Sequence, residues 1–381
     1  MTATGLAGAL PAAAQTPAAA LRPPARMSAV GGDRLGAGGV QVDPLPDAPS
    51  LPGDLSALSW IVSDSGSGEV LAAKNAHWQL PPASTLKTLF ADTVLPRFRA
   101  GATHRVSDSD LAGMGEGSSQ VGVVAGQTYT VSQLWLGVFL RSGNDAVHVL
   151  AAMNGGVPAT VADMQAQARA LGADDTHVVT PDGYDEPGQV SSAYDLSLFA
   201  RDGLKNPEFA AYCSTAVAEF PGGPSTKGRP FEIQNTDRLL SGIDGVSHSD
   251  GLIGVKNGYT TNAGNTLVVA AKRDGRTILV TVMNPRSEHY DAVYTEARQL
   301  LDWGFAADGR VRPVGSLDAV VPAAHLAAHV GAGKKSGVGP LAAASGASGG
   351  PGALRWTEAG AAVLLAAVGG VVLTARRRRR G

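Results

Sequence analysis

At 381 residues and 44% hydrophobic content, the chain can bury one large core or two ordinary ones and still carry appendages. Its 31 Lys and Arg against 33 Asp and Glu leave a formal charge of −2, so bulk charge offers no basic surface for nucleic acid. A lone cysteine, Cys213, excludes an internal disulfide framework and a cysteine-built zinc site, and reads as a buried, inert thiol.

Residues 1–53 are rich in Ala, Pro and Gly without helical or strand period, and are expected to be disordered or an export-signal remnant. Ala12-Ala13-Ala14-Gln15 resembles the small-residue end of a secretory signal, but the basic start and long apolar run are missing, which points to a signal lying upstream. Leu58–Val62 and Glu69–Ala73, joined by Ser-Gly-Ser-Gly at 65–68, predict a hairpin. After Pro81-Pro82, the apolar residues Leu86, Leu89, Phe90 and Val94 predict a core helix, and helices are expected to fill the middle of the chain. Strands follow at 252–260, 266–272 and 276–283, joined by Thr261-Asn262-Ala263-Gly264 and by the two-residue hairpin signal Asp274-Gly275. Ser287 to Trp303 predicts a serine-capped helix with Val293, Ala297, Leu300 and Leu301 at helical spacing. Strands at both ends with helices inserted between them imply an α+β fold around one antiparallel sheet, occupying residues 54–308. Residues 309–355 are expected to be a Gly/Ala/Ser-rich tether, and 356–375 are apolar over a bilayer-spanning length. Arg376 to Arg380 make 376–381 a basic cytoplasmic tail, which would put the domain before the tether outside the cell membrane.

Three short clusters carry chemistry. In Ser84-Thr85-Leu86-Lys87 the i, i+3 spacing stacks Lys87 beside Ser84 at the start of the predicted helix, with Cβ atoms roughly 5–6 Å apart. A serine hydroxyl needs a base to take its proton, and an ammonium cannot be that base. Lys87 must then be neutral part of the time, a fall from about 10.4 toward about 7 that burial and a second nearby cation could supply. The helix start also favours a developing oxyanion. Ser142-Gly143-Asn144 breaks an apolar pattern running from Leu134 to Leu150, and is either an ordinary helix–helix turn or a sharp turn aiming Ser142 and Asn144 into a cleft. Lys256-Asn257-Gly258 lies on a predicted strand, where Gly258 lets a ligand approach the backbone and Lys256 is either a cation for an anionic group or an edge-strand charge.

In this order, S-x-x-K, S-G-N and K-x-G resemble the triplet of class A β-lactamases and penicillin-binding proteins. Over about residues 55–305 the chain is similar to the serine D-Ala-D-Ala carboxypeptidases of the low-molecular-mass penicillin-binding group. Gly117-Ser118-Ser119, Asp145-Ala146, Asp182-Gly183-Tyr184, Ser192-Ala193-Tyr194-Asp195-Leu196 and Asn235 add to the likeness. The resemblance implies a β-lactamase/transpeptidase-like fold, an antiparallel sheet flanked by helices with an inserted helical subdomain. It implies no cofactor and no metal, a peptidoglycan stem peptide ending in D-Ala-D-Ala as substrate, and β-lactams as covalent inhibitors. It also implies Ser84 as nucleophile, Lys87 as its base, Ser142 as proton relay and Asn144 as holder of the substrate amide. Lys256, Asn257, Gly258, Tyr259 and Thr260 would form the substrate-binding strand, Lys256 helping to bind the terminal carboxylate, and the backbone N–H groups of Ser84 and Tyr259 would form the oxyanion hole.

Two departures stand out. The family usually has Thr where this chain has Asn257, a longer side chain that still donates a hydrogen bond. The usual second, sheet-rich domain is not expected in 311–352, where the tether and membrane helix stand in its place. Asp108-Ser109-Asp110 opens like a calcium loop but fails at Ala112, no P-loop or H-E-x-x-H occurs, and the eight histidines show no metal spacing. The alternatives are a β-lactamase, for which no E-x-x-L-N segment follows Ser142, and a non-catalytic cell-wall-binding relative, with Asn257 as its sign.

Overall fold

The computed structural model describes residues 22–318. In chain order, strand β1 (Val40–Pro44) precedes the hairpin β2 (Ser59–Asp64) and β3 (Glu69–Lys74), and a short 3-10 turn, Ala83–Leu86, leads into helix α1 (Lys87–Val94). The small pair β4 (Thr103–Arg105) and β5 (Thr128–Thr130) precedes helices α2 (Val131–Arg141), α3 (Asn144–Met153), α4 (Val157–Ala170), α5 (Ala193–Gly203) and α6 (Pro207–Ser214). A second small pair, β6 (Val217–Phe220) and β7 (Phe231–Gln234), and the short helix α7 (Arg238–Ser241) lead to β8 (Leu252–Thr260), β9 (Gly264–Arg273) and β10 (Arg276–Met283). Helix α8 (Ala292–Ala307) and the short strands β11 (Val311–Arg312) and β12 (Gly315–Ser316) close the described chain.

The main sheet is eight-stranded and antiparallel, in the order β11-β1-β3-β2-β10-β9-β8 with β12 also on β3, so the first and last parts of the chain meet where β2 pairs β10. Its centre is buried on both faces, and the side chains alternate between two core halves. Ile278, Val280 and Val282 join Trp60 and Val62 beneath Val293, Ala297, Leu300 and Leu301 of α8. Leu279 and Met283 join Ile61 and the helices on the other side. Each such apolar side chain contributes roughly 1.5–3 kcal/mol by leaving water. Asp274 (φ 48°) and Gly275 (φ 82°) both take left-handed backbone, the turn that matches the twist of β9 and β10.

Three boundaries differ from the sequence expectation. Residues 22–53 are not structureless: β1 pairs β3 and β11, and Leu35 is fully buried. This segment has no core of its own, and its order comes from the sheet edge it lies on. The folded unit likewise runs past 308, since β11 and β12 pair β1 and β3. Helix α8 begins at Ala292 rather than Ser287 because the Arg286 and Ser287 backbone N–H groups both donate to Ser56 Oγ at 3.0 Å, tying that stretch to the N-terminal segment. Residues 1–21, the remainder of the tether, the apolar 356–375 segment and the arginine tail lie outside the described residues. Among the described residues no helix is long and apolar enough to cross a membrane.

Candidate active site

The turn that carries Ser84 is held under strain. Ala83, directly before Ser84, has φ 50°, a left-handed conformation that is unfavourable for a residue with a Cβ. Two glycines let neighbouring segments close on it: a Cβ on Gly183 would collide with the Ala83 carbonyl, and one on Gly258 would stand 2.7 Å from the Ser84 backbone nitrogen. Thr266 of β9 fastens the same turn by donating to the Pro82 carbonyl at 3.0 Å. Ser84 thus sits in a 3-10 turn that feeds α1, not in the α-helix itself.

Lys87 is 1% exposed, and its Nζ lies 2.7 Å from Ser84 Oγ and 2.7 Å from the Asp182 carbonyl oxygen. Burial pulls its pKa down to about 8 against the opposing charges of Asp182 and Asp145. Roughly a tenth is then neutral at pH 7. Burial supplies this shift; the repulsion between the two buried cations is felt at Lys256, which burial first and the Lys87 charge second push well below the usual lysine range. Burial also works against ionisation of Asp182, but hydrogen bonding to His148, the Lys87 charge and donors from Tyr184 N (3.0 Å) and Thr180 Oγ1 (2.8 Å) outweigh it and hold the carboxyl down to about 2. His148 Nδ1 faces the Ala112 carbonyl at 3.2 Å, which can only accept, so that nitrogen carries a proton.

The polar break between α2 and α3 is a turn whose Ser142 and Asn144 are buried. Ser142 closes α2 in left-handed backbone (φ 55°), with Oγ buried and without a hydrogen-bond partner among the described residues. Asn144 opens α3; its Nδ2 donates to Ser118 Oγ at 3.1 Å, its backbone N–H donates to the Ser119 carbonyl at 2.8 Å, and its buried Oδ1 has no partner among the described residues. Beside it the Asp145 carboxylate accepts from the backbone N–H groups of Val121, Gly122 and Val123 at 2.8–3.0 Å, pinning the loop that carries Ser118.

On β8, successive side chains go to opposite faces. Lys256 pairs across to Val268 in the helical half of the core, and Asn257 to Leu267 in the α8 half. Lys256 is 1% exposed and its Nζ donates to the Asn257 carbonyl at 2.8 Å, with Asn257 Oδ1 at 3.3 Å. The Asn257 amide donates to the Thr236 carbonyl (3.3 Å) and Tyr294 Oη (3.4 Å), and its Oδ1 accepts from Thr236 Oγ1 at 3.0 Å. The side chain is therefore engaged with Thr236 and α8. Tyr259 is 68% exposed, and Thr260 Oγ1 donates to Asp185 at 2.7 Å.

A cavity of about 300 Å³ opens between these elements, lined by Ser84, Asn144, Tyr259 and Thr260 among the residues singled out in the sequence. Lys87, Ser142 and Lys256 are buried behind it. Glu116, Asp185, His148 and Thr236 carried no signal of their own; their places follow only from the fold. One further cluster escaped sequence spacing: His77, Asp175 and Asp195 converge with ligand-type atoms within 4.8 Å. Both His77 nitrogens already have protein partners there, Asp175 at 2.6 Å and the Val30 carbonyl at 2.9 Å.

Residues 46–287 match the family described as D-alanyl-D-alanine carboxypeptidase. The chain is 40% identical over 277 residues to D-alanyl-D-alanine carboxypeptidase DacB2 of Mycobacterium tuberculosis, covering 72% of this chain and 88% of that protein. It is 34% identical over 275 residues to D-alanyl-D-alanine carboxypeptidase DacD of Salmonella typhimurium, covering 69% of this chain and 66% of that protein. A crystal structure of D-alanyl-D-alanine carboxypeptidase from M. tuberculosis superposes with a TM-score of 0.63 at 38% identity, over 72% of this chain and 100% of that one. The Streptomyces K15 DD-transpeptidase superposes with a TM-score of 0.61 at 28% identity, over 68% and 100%.

Proposed function

The chain belongs to the D-alanyl-D-alanine carboxypeptidase family of serine peptidases, and we infer that its cleft takes peptidoglycan stem peptides ending in D-Ala-D-Ala and releases the last D-alanine. The observation that carries this reading is the 2.7 Å contact between Ser84 Oγ and the buried Lys87 Nζ at the foot of the cleft. Neutral Lys87 takes the Ser84 proton as the oxygen attacks the carbonyl of the penultimate residue. The backbone N–H groups of Ser84 and Tyr259 receive the oxyanion. Ser142, whose Oγ has no partner among the described residues, passes the proton to the leaving amine, and Asn144 Oδ1, likewise without one there, accepts the substrate amide N–H. Lys256 attracts the terminal carboxylate, while Asn257 holds Lys256 through its own carbonyl. Water then attacks the acyl-enzyme, freeing the shortened peptide and restoring Ser84. A β-lactam opened by the same serine would occupy it as a stable ester.

The apolar 356–375 segment followed by Arg376 to Arg380 supports a single-pass anchor with the catalytic domain outside and the C-terminus in the cytoplasm. Incubation of the purified chain with a labelled penicillin and with a D-Ala-D-Ala peptide tests the activity: the label is expected on Ser84 together with release of D-alanine. Rapid penicillin turnover without D-alanine release would make it a β-lactamase, and neither signal would make it a binding relative. Extraction of the chain from membranes by alkaline carbonate would overturn the anchor.

A further inference from the structure

We propose that His148 is a positioning residue for the Ser84–Lys87 pair, acting through Asp182; the proposal rests on the reading of Ser84 as the acylated serine. Asp182 meets Lys87 in two ways. Its backbone carbonyl accepts from Lys87 Nζ at 2.7 Å, and the charge of its carboxylate favours the Lys87 ammonium. The two oxygens of that carboxylate are held differently. Oδ1 accepts from Thr180 Oγ1 (2.8 Å) and the Tyr184 backbone N–H (3.0 Å), both within two residues along the chain. Oδ2 faces His148 Nε2 at 3.5 Å, a contact that reaches it from another element. His148 stands four residues beyond Asn144 on α3, so the two share a helix face, and it is buried without lining the cleft. Its Nδ1 faces the Ala112 carbonyl at 3.2 Å. The ring therefore bridges Asp182 and the stretch that runs from Ala112 into Glu116, Gly117 and Ser118 of the cleft wall.

This geometry fixes the charge that the contact needs. The Ala112 carbonyl can only accept, so Nδ1 carries a proton. A neutral ring would then turn the Nε2 lone pair toward the Asp182 carboxylate, which repels it. The contact is attractive when Nε2 is protonated as well, an imidazolium against a carboxyl held down to about 2. The charged groups around Lys87 of α1 are Asp182, Asp145 of α3 and Lys256 of β8. Asp145 is committed to the backbone N–H groups of Val121, Gly122 and Val123, and Lys256 to the Asn257 carbonyl. Asp182 is instead paired with a second titratable side chain, and the imidazolium partly offsets the negative charge that Lys87 meets. Without it, more of the Asp182 charge falls on Lys87, the ammonium is favoured, and less neutral lysine remains to take the Ser84 proton.

The test is the pH profile of Ser84 acylation by a labelled penicillin, a step that needs neutral Lys87 whatever becomes of the acyl group afterwards. His148→Gln, with His148→Asn as a second neutral variant, is expected to move the rising limb of the profile up by roughly half to one pH unit. The rate at pH 7 then falls about threefold to tenfold and recovers to within about twofold of wild type well above the limb. Asp182→Asn leaves no carboxylate for His148 to offset. Adding His148→Gln to it should leave the limb in place, a non-additivity that a double-mutant cycle reads directly. An equal loss at every pH would make His148 a packing residue and overturn the inference, as would a limb that stays in place or moves down in the single variants. D-alanine release from a D-Ala-D-Ala peptide is followed in parallel. Acylation with the expected limbs but no release would remove the carboxypeptidase reading alone, and no acylation of the wild-type chain at any pH would overturn both.

Discussion

Beneath α8 the sheet buries Trp60, Val62, Ile278, Val280 and Val282 against Val293, Leu300 and Leu301, whereas on the opposite face α1 and the same sheet bury Thr85, Lys87, Thr88, Lys256, Thr266 and Thr281 among their leucines and phenylalanines. The first face asks mainly for apolar volume at the right period, with Glu296 of α8 accepting from the Ser56 and Ala57 backbone N–H groups at 3.0 Å. The second must find a partner for each polar group, and largely does: Thr88 donates to the Thr85 carbonyl at 2.7 Å, and Thr281 meets Ser197 at 2.7 Å. Where this stops is instructive. Ser142 Oγ and Asn144 Oδ1 are buried beside the cleft without partners among the described residues, a penalty of about 1–3 kcal/mol each. A face built for folding alone would fill those sites with carbon; the proposed mechanism gives both atoms a partner in the substrate.

The comparison breaks if the two faces cannot be separated by mutation. Ser84→Ala should lower both penicillin labelling and D-alanine release by about 10⁴-fold or more. Lys87→Met should come close to that, with some loss of stability, since the Lys87 charge helps hold the buried Asp182 carboxyl ionised. On the other face, Leu300→Ala, at a fully buried site, should cost about 2–5 kcal/mol of stability in a urea titration. Its kcat/KM, measured well below the melting temperature, should stay within about twofold of wild type, the order expected for a side chain that touches no reacting group. An activity loss from Leu300→Ala as deep as that from Lys87→Met would mean that α8 shapes the cleft directly.

A smaller effect sharpens the polar side. Lys87, held at about 8, is charged below that pH and neutral above it, so kcat/KM should rise with pH through about 8 and then level off. The Asp182 carboxylate raises the Lys87 pKa, so Asp182→Asn, which keeps the backbone carbonyl bonded to Nζ, should move this limb down by roughly half to one pH unit. Movement upward would show that Lys87 is not the titrating base.

What could be read in advance followed the same division. Strands β9 and β10 announce themselves through runs rich in Val, Ile and Thr and the Asp274-Gly275 turn that joins them, and Leu300 and Leu301 lie on a readable helical stripe. Ser84, Lys87, Ser142 and Asn144 were visible because S-x-x-K, S-G-N and K-x-G occur together and in family order; each motif alone left an ordinary turn or a chance match open. Strand β1 was not, since its five residues sit among Gly, Asp and Pro and gain their order from β3 and β11. Nor were the pairings of His148 with Asp182 or of Asn257 with Thr236 and Tyr294, which join segments 21 or more residues apart and exist only once the sheet and helices have packed.

Asn257 is where the two faces touch, and it sets the smallest expected effect. Its Oδ1 stands 3.3 Å from Lys256 Nζ on the cleft side, and its amide donates to Tyr294 Oη of α8 at 3.4 Å. Asn257→Thr installs the residue usual in the family, but a threonine side chain is too short to keep the contacts to Thr236 and Tyr294 together. The loss of one or two such hydrogen bonds should cost about 1 kcal/mol of stability. Lys256 keeps its bond to the backbone carbonyl of residue 257, so KM for a D-Ala-D-Ala peptide should change by no more than about threefold, as for a residue that acts through another. If KM instead fell by about tenfold with stability unchanged, the side chain at 257 would be a direct ligand of the substrate carboxylate, and Asn257 would belong wholly to the polar face.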